Sequence, residues 1–359
     1  MPRVSVPARR LLLPALALAT FALAACGSTG TPWPGIVADG ERAYIAFGQG
    51  VYAVQLTNAQ EAWRFPVEKP ARDQLFYAAP ALTDSGLVIA GSYDYKVYAL
   101  EAASGDLAWT FEGAQERIVG DPVASGDSIF VPVADGTLFA LRAEDGGVEW
   151  SFKADGALWS APLVTDDHVY LGSLSHTIYA LDREGNLVWT HDVGGAISEA
   201  PSMVDGTLLV GALGQPLIAL DPATGEQRWT APSGKWIWAA AVSSDGIAYF
   251  GDLGGRLAAV SVSDGSILHE VTLDGAITGR PALDASHLFV ATETGTVRSF
   301  LLSDFSSEWT ETVPEAKLYG PLVLQDSLLM VGVVSREADV AAFDIDSGQL
   351  RWTFKPASR

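Results

Sequence analysis

The chain has 359 residues, 48% of them hydrophobic and 18% charged, enough apolar material for a large core. Its 43 acidic residues outnumber 22 basic ones, and the formal charge of −21 argues against nucleic acid and against anionic lipid headgroups as partners. The single cysteine, Cys26, excludes an internal disulfide and a multi-cysteine metal site.

The N-terminus reads as an export signal. Arg3, Arg9 and Arg10 precede the apolar run from Leu11 to Ala25, which is too short to span a bilayer comfortably. The run ends Leu23-Ala24-Ala25-Cys26-Gly27. This resembles the lipobox of bacterial lipoproteins, which implies cleavage before Cys26 and acylation of that residue. Several acyl chains on one residue give stable anchoring, where one would be marginal. Arg9-Arg10 and the leucines after them also resemble a twin-arginine signal, so either export route fits. Residues 1–25 are thus expected to be a signal peptide and 26–34 (CGSTGTPWP) a lipidated tether. The mature protein is expected on the outer face of the cell membrane, or on an outer membrane where one exists.

From residue 35 onward one motif recurs: an alanine at a strand end, a turn with glycine, and a tryptophan four residues after the glycine. Ala99 to Trp109 (ALEAASGDLAW) shows it in full, and Ala140–Trp150, Ala219–Trp229 and Ala342–Trp352 repeat it. Ala180–Trp189 is one residue shorter, and Ala53–Trp63 has Ala59 in the glycine position. Two copies are eroded: Ala259–His269 has His for Trp, and Ser299–Trp309 has Phe305 for Gly. The eight end positions are 63, 109, 150, 189, 229, 269, 309 and 352, a period close to forty residues. Within each period lie an apolar stretch after a proline or alanine (Pro80-Ala-Leu, Pro162-Leu-Val), a turn, a second apolar run (Leu87-Val-Ile-Ala), and a third (Lys96-Val-Tyr-Ala-Leu). The tryptophan is expected to begin a fourth. Four short strands per forty residues, without helical periodicity, predict an all-β, eight-bladed β-propeller of four-stranded antiparallel blades over 35–359. It is expected to be monomeric. The repeat phase predicts that the last blade docks on the first without exchanging a strand. A strand from Thr31 to Gly35 joining the last blade is the alternative.

The motif has a structural explanation. Glycine suits a hairpin turn that needs φ > 0, and alanine leaves room for a large neighbour. The indoles of Trp63, Trp109, Trp150, Trp189, Trp229, Trp309 and Trp352 are expected to fill the wedges between sheets and to donate to backbone carbonyls. His269 is expected to pack in the same slot.

Catalytic signatures are missing. The five histidines, His168, His176, His191, His269 and His287, form no close metal pair, and no complete EF-hand loop, Gly-rich phosphate loop or GxSxG elbow occurs. One face stands out. In four-stranded blades the fourth-to-first and second-to-third loops share a face. Just before the inner strands lie Tyr77, Asp121, Trp159-Ser160, Ser198-Glu199, Trp236, Trp238, Arg280 and Tyr319, where other repeats use Ala or Gly. Aromatic rings with a few polar groups can make a binding site, or they can plug the channel and pair among themselves. Trp159, Glu199, Trp238, Arg280, Asp121 and Tyr319 are the candidate binding face.

The Ala…Asp…Gly…Trp pattern resembles the tryptophan-docking motif of the pyrroloquinoline quinone (PQQ) propeller superfamily, over essentially the whole mature length. One branch of that superfamily holds PQQ and calcium beneath adjacent cysteines and carries long insertions; this sequence has neither. The resemblance is to the branch of small eight-bladed lipoproteins that includes the B lipoprotein of the outer-membrane barrel-assembly machinery. It implies a non-catalytic, protein-binding scaffold of the cell envelope with an envelope protein as partner and no cofactor. The alternatives are a reduced PQQ-dependent oxidoreductase, and a sensor or polysaccharide-binding lipoprotein.

Overall fold

A computed structural model describes residues 33–357. Cys26, the signal segment and most of the expected tether lie outside the described residues. From Trp33 onward the chain forms one compact unit of eight four-stranded antiparallel sheets. The blades comprise residues 35–65, 81–111, 123–153, 163–192, 202–231, 242–272, 282–312 and 317–354. Each sheet contains four consecutive strands, numbered A to D from the channel outward, so this is an eight-bladed β-propeller with no helix among the described residues.

The motif alanine and the tryptophan face each other across the C and D strands. Ala99 pairs with Trp109, Ala140 with Trp150, Ala219 with Trp229 and Ala342 with Trp352. Directly after each pair the register slips by one residue, a β-bulge that twists the outer strand. The tryptophan does not begin the D strand. Leu107–Phe111 starts two residues before its tryptophan, because the turn is closed by Glu101 N–H donating to Asp106 O (2.8 Å) and pairing resumes at once with Leu100 opposite Leu107.

Glycine and tryptophan of one motif serve different seams. Gly225 has φ +72°, and a Cβ there would lie 2.5 Å from the ring of Trp189 in the preceding blade. Gly146 stands in the same way against Trp109, and Gly348 against Trp309. The indole N–H then donates to the carbonyl of the next blade's turn: Trp109 to Ala143 (3.0 Å), Trp189 to Pro222 (2.9 Å), Trp229 to Val262 (2.8 Å). Trp63, Trp150 and Trp309 do likewise with Ala102, Arg183 and Ile345. Each indole therefore combines apolar burial with a satisfied polar tip. Eight apolar clusters result, each drawing on two neighbouring blades, so the core is a ring of seams.

The ring closes by the same device. Trp352 Nε1 donates to Leu56 O of blade 1 at 2.5 Å, and Ile36 and Ile45 share a cluster with Met330 and Trp352. No sheet mixes strands from the two ends of the described chain. Gly35 belongs to blade 1, while the ring of Trp33 lies against blade 8, 5.9 Å from that of Tyr319.

Candidate functional site

The connectors from each D strand to the next A strand cross the face that also carries the B–C turns. Backbone bonds fasten the two sets together: Leu174 N–H donates to Ala157 O, Leu213 N–H to Ala196 O, and Leu253 N–H to Trp236 O. Each connector then buries one aliphatic side chain. Ile118, Leu158, Ile197, Ile237 and Ile277 are all at most 1% exposed. Ile197 sits so close to Gly172 that a Cβ on that glycine would meet its side chain at 2.4 Å; Ile118 and Gly91, and Ile277 and Gly251, repeat the contact. Sequence reasoning passed over these anchors. Their signal was legible, an aliphatic residue four positions before the proline or alanine at a forty-residue period. They matter because the next residue, such as Trp159, Ser198 or Trp238, is thereby held at the channel mouth.

Three charged groups meet there from alternate blades. Asp121 precedes the A strand of blade 3, Glu199 that of blade 5 and Arg280 that of blade 7. Asp121 Oδ1 accepts the Ala79 N–H at 2.6 Å, which ties neighbouring connectors together. As a residue Asp121 is half-buried, but its carboxyl is desolvated. That burial, with the charge of Glu199 added, pushes it up to about 7 against the pull of the Ala79 N–H and of Arg280. Burial also raises Glu199, opposed by the Ala200 N–H and Arg280. Arg280 is exposed, and no ion pair within 4.0 Å joins it to either carboxylate among the described residues. The mouth thus contains two carboxylates and a cation that influence one another without pairing.

The aromatic residues divide. Trp159 and Trp236 are 42% and 44% exposed, while Trp238 is half-buried. Tyr77 lies against Tyr93 (centroids 4.4 Å apart), over which Arg117 sits at 5.2 Å. Tyr319 does not precede its A strand. It lies within Lys317–Gln325, opposite Gly332, because blade 8 extends its pairing through a bulge at 320–322. Its hydroxyl donates to Glu293 (3.0 Å), to which Lys317 also bonds. Ser160 is buried, with its hydroxyl bonded to Gly172 O.

The profile of the PQQ_2 family, described as outer membrane protein assembly factor BamB, matches residues 25–120, 48–173, 97–236 and 216–358. These overlapping segments span all eight blades. This chain belongs to the BamB family. BamB of Shewanella oneidensis is 29% identical over 141 residues, 36% of this chain and 35% of that protein. BamB of Moranella endobia is 29% identical over 130 residues, 33% and 31% of the two chains. The chain thus aligns with about a third of the length of these curated relatives. The crystal structure of BamB from Moraxella catarrhalis superposes with a TM-score of 0.71 at 21% identity, covering 86% of this chain and 94% of that one. The computationally designed Ika8 protein superposes with a TM-score of 0.75 at 16% identity, covering 89% and 98%. Both likenesses are likenesses of fold.

Proposed function

We propose that this chain is an exported, lipid-anchored and non-catalytic scaffold that assists the assembly of outer membrane proteins. The reading is carried by the match of the BamB family profile along the whole propeller. Anchoring follows from Leu23-Ala24-Ala25-Cys26, with acylation of Cys26 as the attachment. The partner is an envelope protein that docks on the connector face, at Trp159, Glu199, Trp238 and Arg280. Unpaired charge beside aromatic rings gives such a partner both polar and apolar purchase.

The chemistry of the mouth supports a role without cofactor. PQQ is a tricarboxylate quinone, and a calcium ion beside it needs six or more oxygen ligands. The mouth supplies one arginine and two carboxylates from blades two apart, and the described residues contain no group of three His, Cys, Asp or Glu placed for a metal. That donor set does not fit the pair.

Capture of partners from envelope membranes with the lipidated protein tests the proposal. Components of a membrane-protein assembly apparatus are expected to co-purify, and Glu199→Ala, Trp238→Ala and Arg280→Ala to lose them while melting normally. Folded variants that keep full capture would move the docking site elsewhere. A cytochrome as sole partner would replace the scaffold with an oxidoreductase.

A further inference from the structure

On the face opposite the connectors, where the A–B and C–D turns lie, the seam between blades 6 and 7 opens as a cleft of about 480 Å³. Ser244, Asp245, Ile247 and Tyr249 line it from blade 6, and Leu302 from blade 7. Tyr249 is only 2% exposed, yet neither its hydroxyl nor the Leu302 carbonyl has a hydrogen-bond partner among the described residues. Burial, and then the charge of Asp245, push this phenol above its ordinary value, so it stays protonated. A buried polar group left unpaired carries a cost that a ligand can recover. Asp245 is exposed and accepts from the Ser244 hydroxyl (3.3 Å), with no cation within 4.0 Å among the described residues. The A–B and C–D turns of blades 6 and 7 contain no lysine or arginine, but they add Asp264, Asp284 and Asp304.

Other seams of the same ring place an arginine at this position. Between blades 1 and 2, Arg42 Nη1 donates to Ala102 O (2.9 Å) and Ala103 O (2.8 Å) and bonds the Tyr44 hydroxyl. Tyr44 and Tyr249 hold the same place, each opposite the motif alanine, and Ala102 corresponds to Leu302. Between blades 3 and 4, Arg183 lies 5.0 Å above the ring of Phe130, which stands where Tyr249 stands, and bonds Ser125, the counterpart of Ser244. Between blades 5 and 6, Arg228 lines the matching smaller cleft and donates to Thr207 Oγ1 (2.7 Å). In the seam between blades 6 and 7 all three arginine positions are aliphatic: Ile247 replaces Arg42, Leu302 replaces Arg183 and Leu268 replaces Arg228. We propose that this cleft binds an arginine side chain of a partner polypeptide, whose guanidinium meets Asp245, the Tyr249 hydroxyl and the Leu302 carbonyl. A guanidinium has a planar fork of donors, which suits a carboxylate beside a carbonyl better than the point charge of lysine. A partner held on the connector face leaves the cleft open, so the two surfaces can be occupied together.

The test titrates the full-length protein at low ionic strength with the peptide acetyl-Gly-Arg-Gly-amide, followed by saturation-transfer difference NMR. The arginine peptide is expected to bind at least about tenfold more tightly than acetyl-Gly-Lys-Gly-amide. Ile247→Arg supplies the cation from the chain itself, as Arg42 does, and is expected to abolish binding while melting no lower than wild type. If that variant melts lower, Asp245→Asn and Tyr249→Phe decide, with expected losses of about tenfold and about threefold in affinity. Free L-arginine, whose carboxylate meets the acidic turns, should bind less tightly than the peptide. Equal binding of the lysine peptide overturns the site in favour of general attraction to an acidic face. Undiminished binding by folded Ile247→Arg, or by both Asp245→Asn and Tyr249→Phe, overturns it as well. Tighter binding of free L-arginine than of the peptide overturns the polypeptide as source of the guanidinium.

Discussion

The imidazole of His269 stacks on the phenyl ring of Phe305, with centroids 5.5 Å apart and planes 22° from parallel. His269 holds the tryptophan position of blade 6, and Phe305 holds the glycine position of blade 7 against which that tryptophan would rest. The two eroded motifs therefore meet at one seam, and they compensate. The aromatic ring that normally comes from the earlier blade comes from the later one. Phe305 keeps the left-handed backbone of the glycine it replaces (φ 60°) and stacks on Tyr249 and Phe300. His269 is exposed and does not fill the wedge, contrary to the expectation from sequence. Leu302, which stands where Ala102 and Val262 stand at their seams, receives no indole N–H among the described residues.

This seam invites a rescue experiment. Phe305→Gly should lower stability by about 1–3 kcal/mol, since it removes a half-buried ring but relieves a left-handed side chain. Adding His269→Trp should restore most of the loss by rebuilding the standard pair. Urea unfolding of both variants decides it; a double variant no more stable than Phe305→Gly shows that the two positions are not coupled.

Trp189→Ala should destabilise the fold by about 3–5 kcal/mol, because it removes a buried indole and one of the two donors to Pro222 O, leaving only the Tyr170 hydroxyl. Thermal melting measures this. An unchanged midpoint would mean that the indole contributes nothing to the seam.

Asp121 imposes a pH dependence whose sign is fixed. Its carboxyl titrates near 7 when folded and near 3.8 when unfolded, so between these values the folded chain holds a proton that the unfolded chain has released. Stability therefore falls as pH rises through that window and levels off above it. Asp121→Asn keeps the acceptor for the Ala79 N–H and removes the charge. The variant should melt about 2 °C or more above wild type at pH 8, and the gap should close near pH 4. An equal gap at both pH values would exclude a buried charge as the cause.

Cys26→Ser should release the protein from membranes. Fractionation reads the outcome directly, and a variant that sediments with membranes as tightly as wild type would rule out acylation as the attachment.

Titration with PQQ and calcium should show no stoichiometric binding by calorimetry or absorbance. Tight uptake accompanied by dye-linked oxidation of an alcohol or sugar would replace the scaffold reading with an enzyme.

Sequence alone determined the blades, because their signals are local and repeated eight times. A glycine with positive φ, an alanine opposite an indole and short apolar runs act within forty residues, so Gly105, Ala99 and Trp109 announce a blade wherever they recur. The candidate residues at the mouth were also legible, as departures from a small-residue background. Tertiary structure decided which motif answers which. Gly225 serves Trp189 rather than Trp229, and Phe305 answers His269 of the preceding blade, because the seams lie between blades and not within them. It also decided that Asp121, Glu199 and Arg280, from blades 3, 5 and 7, share one electrostatic environment, and that Tyr319 is held by Glu293. Periodicity fixes the unit, but the closed ring sets which distant side chains feel one another's charge.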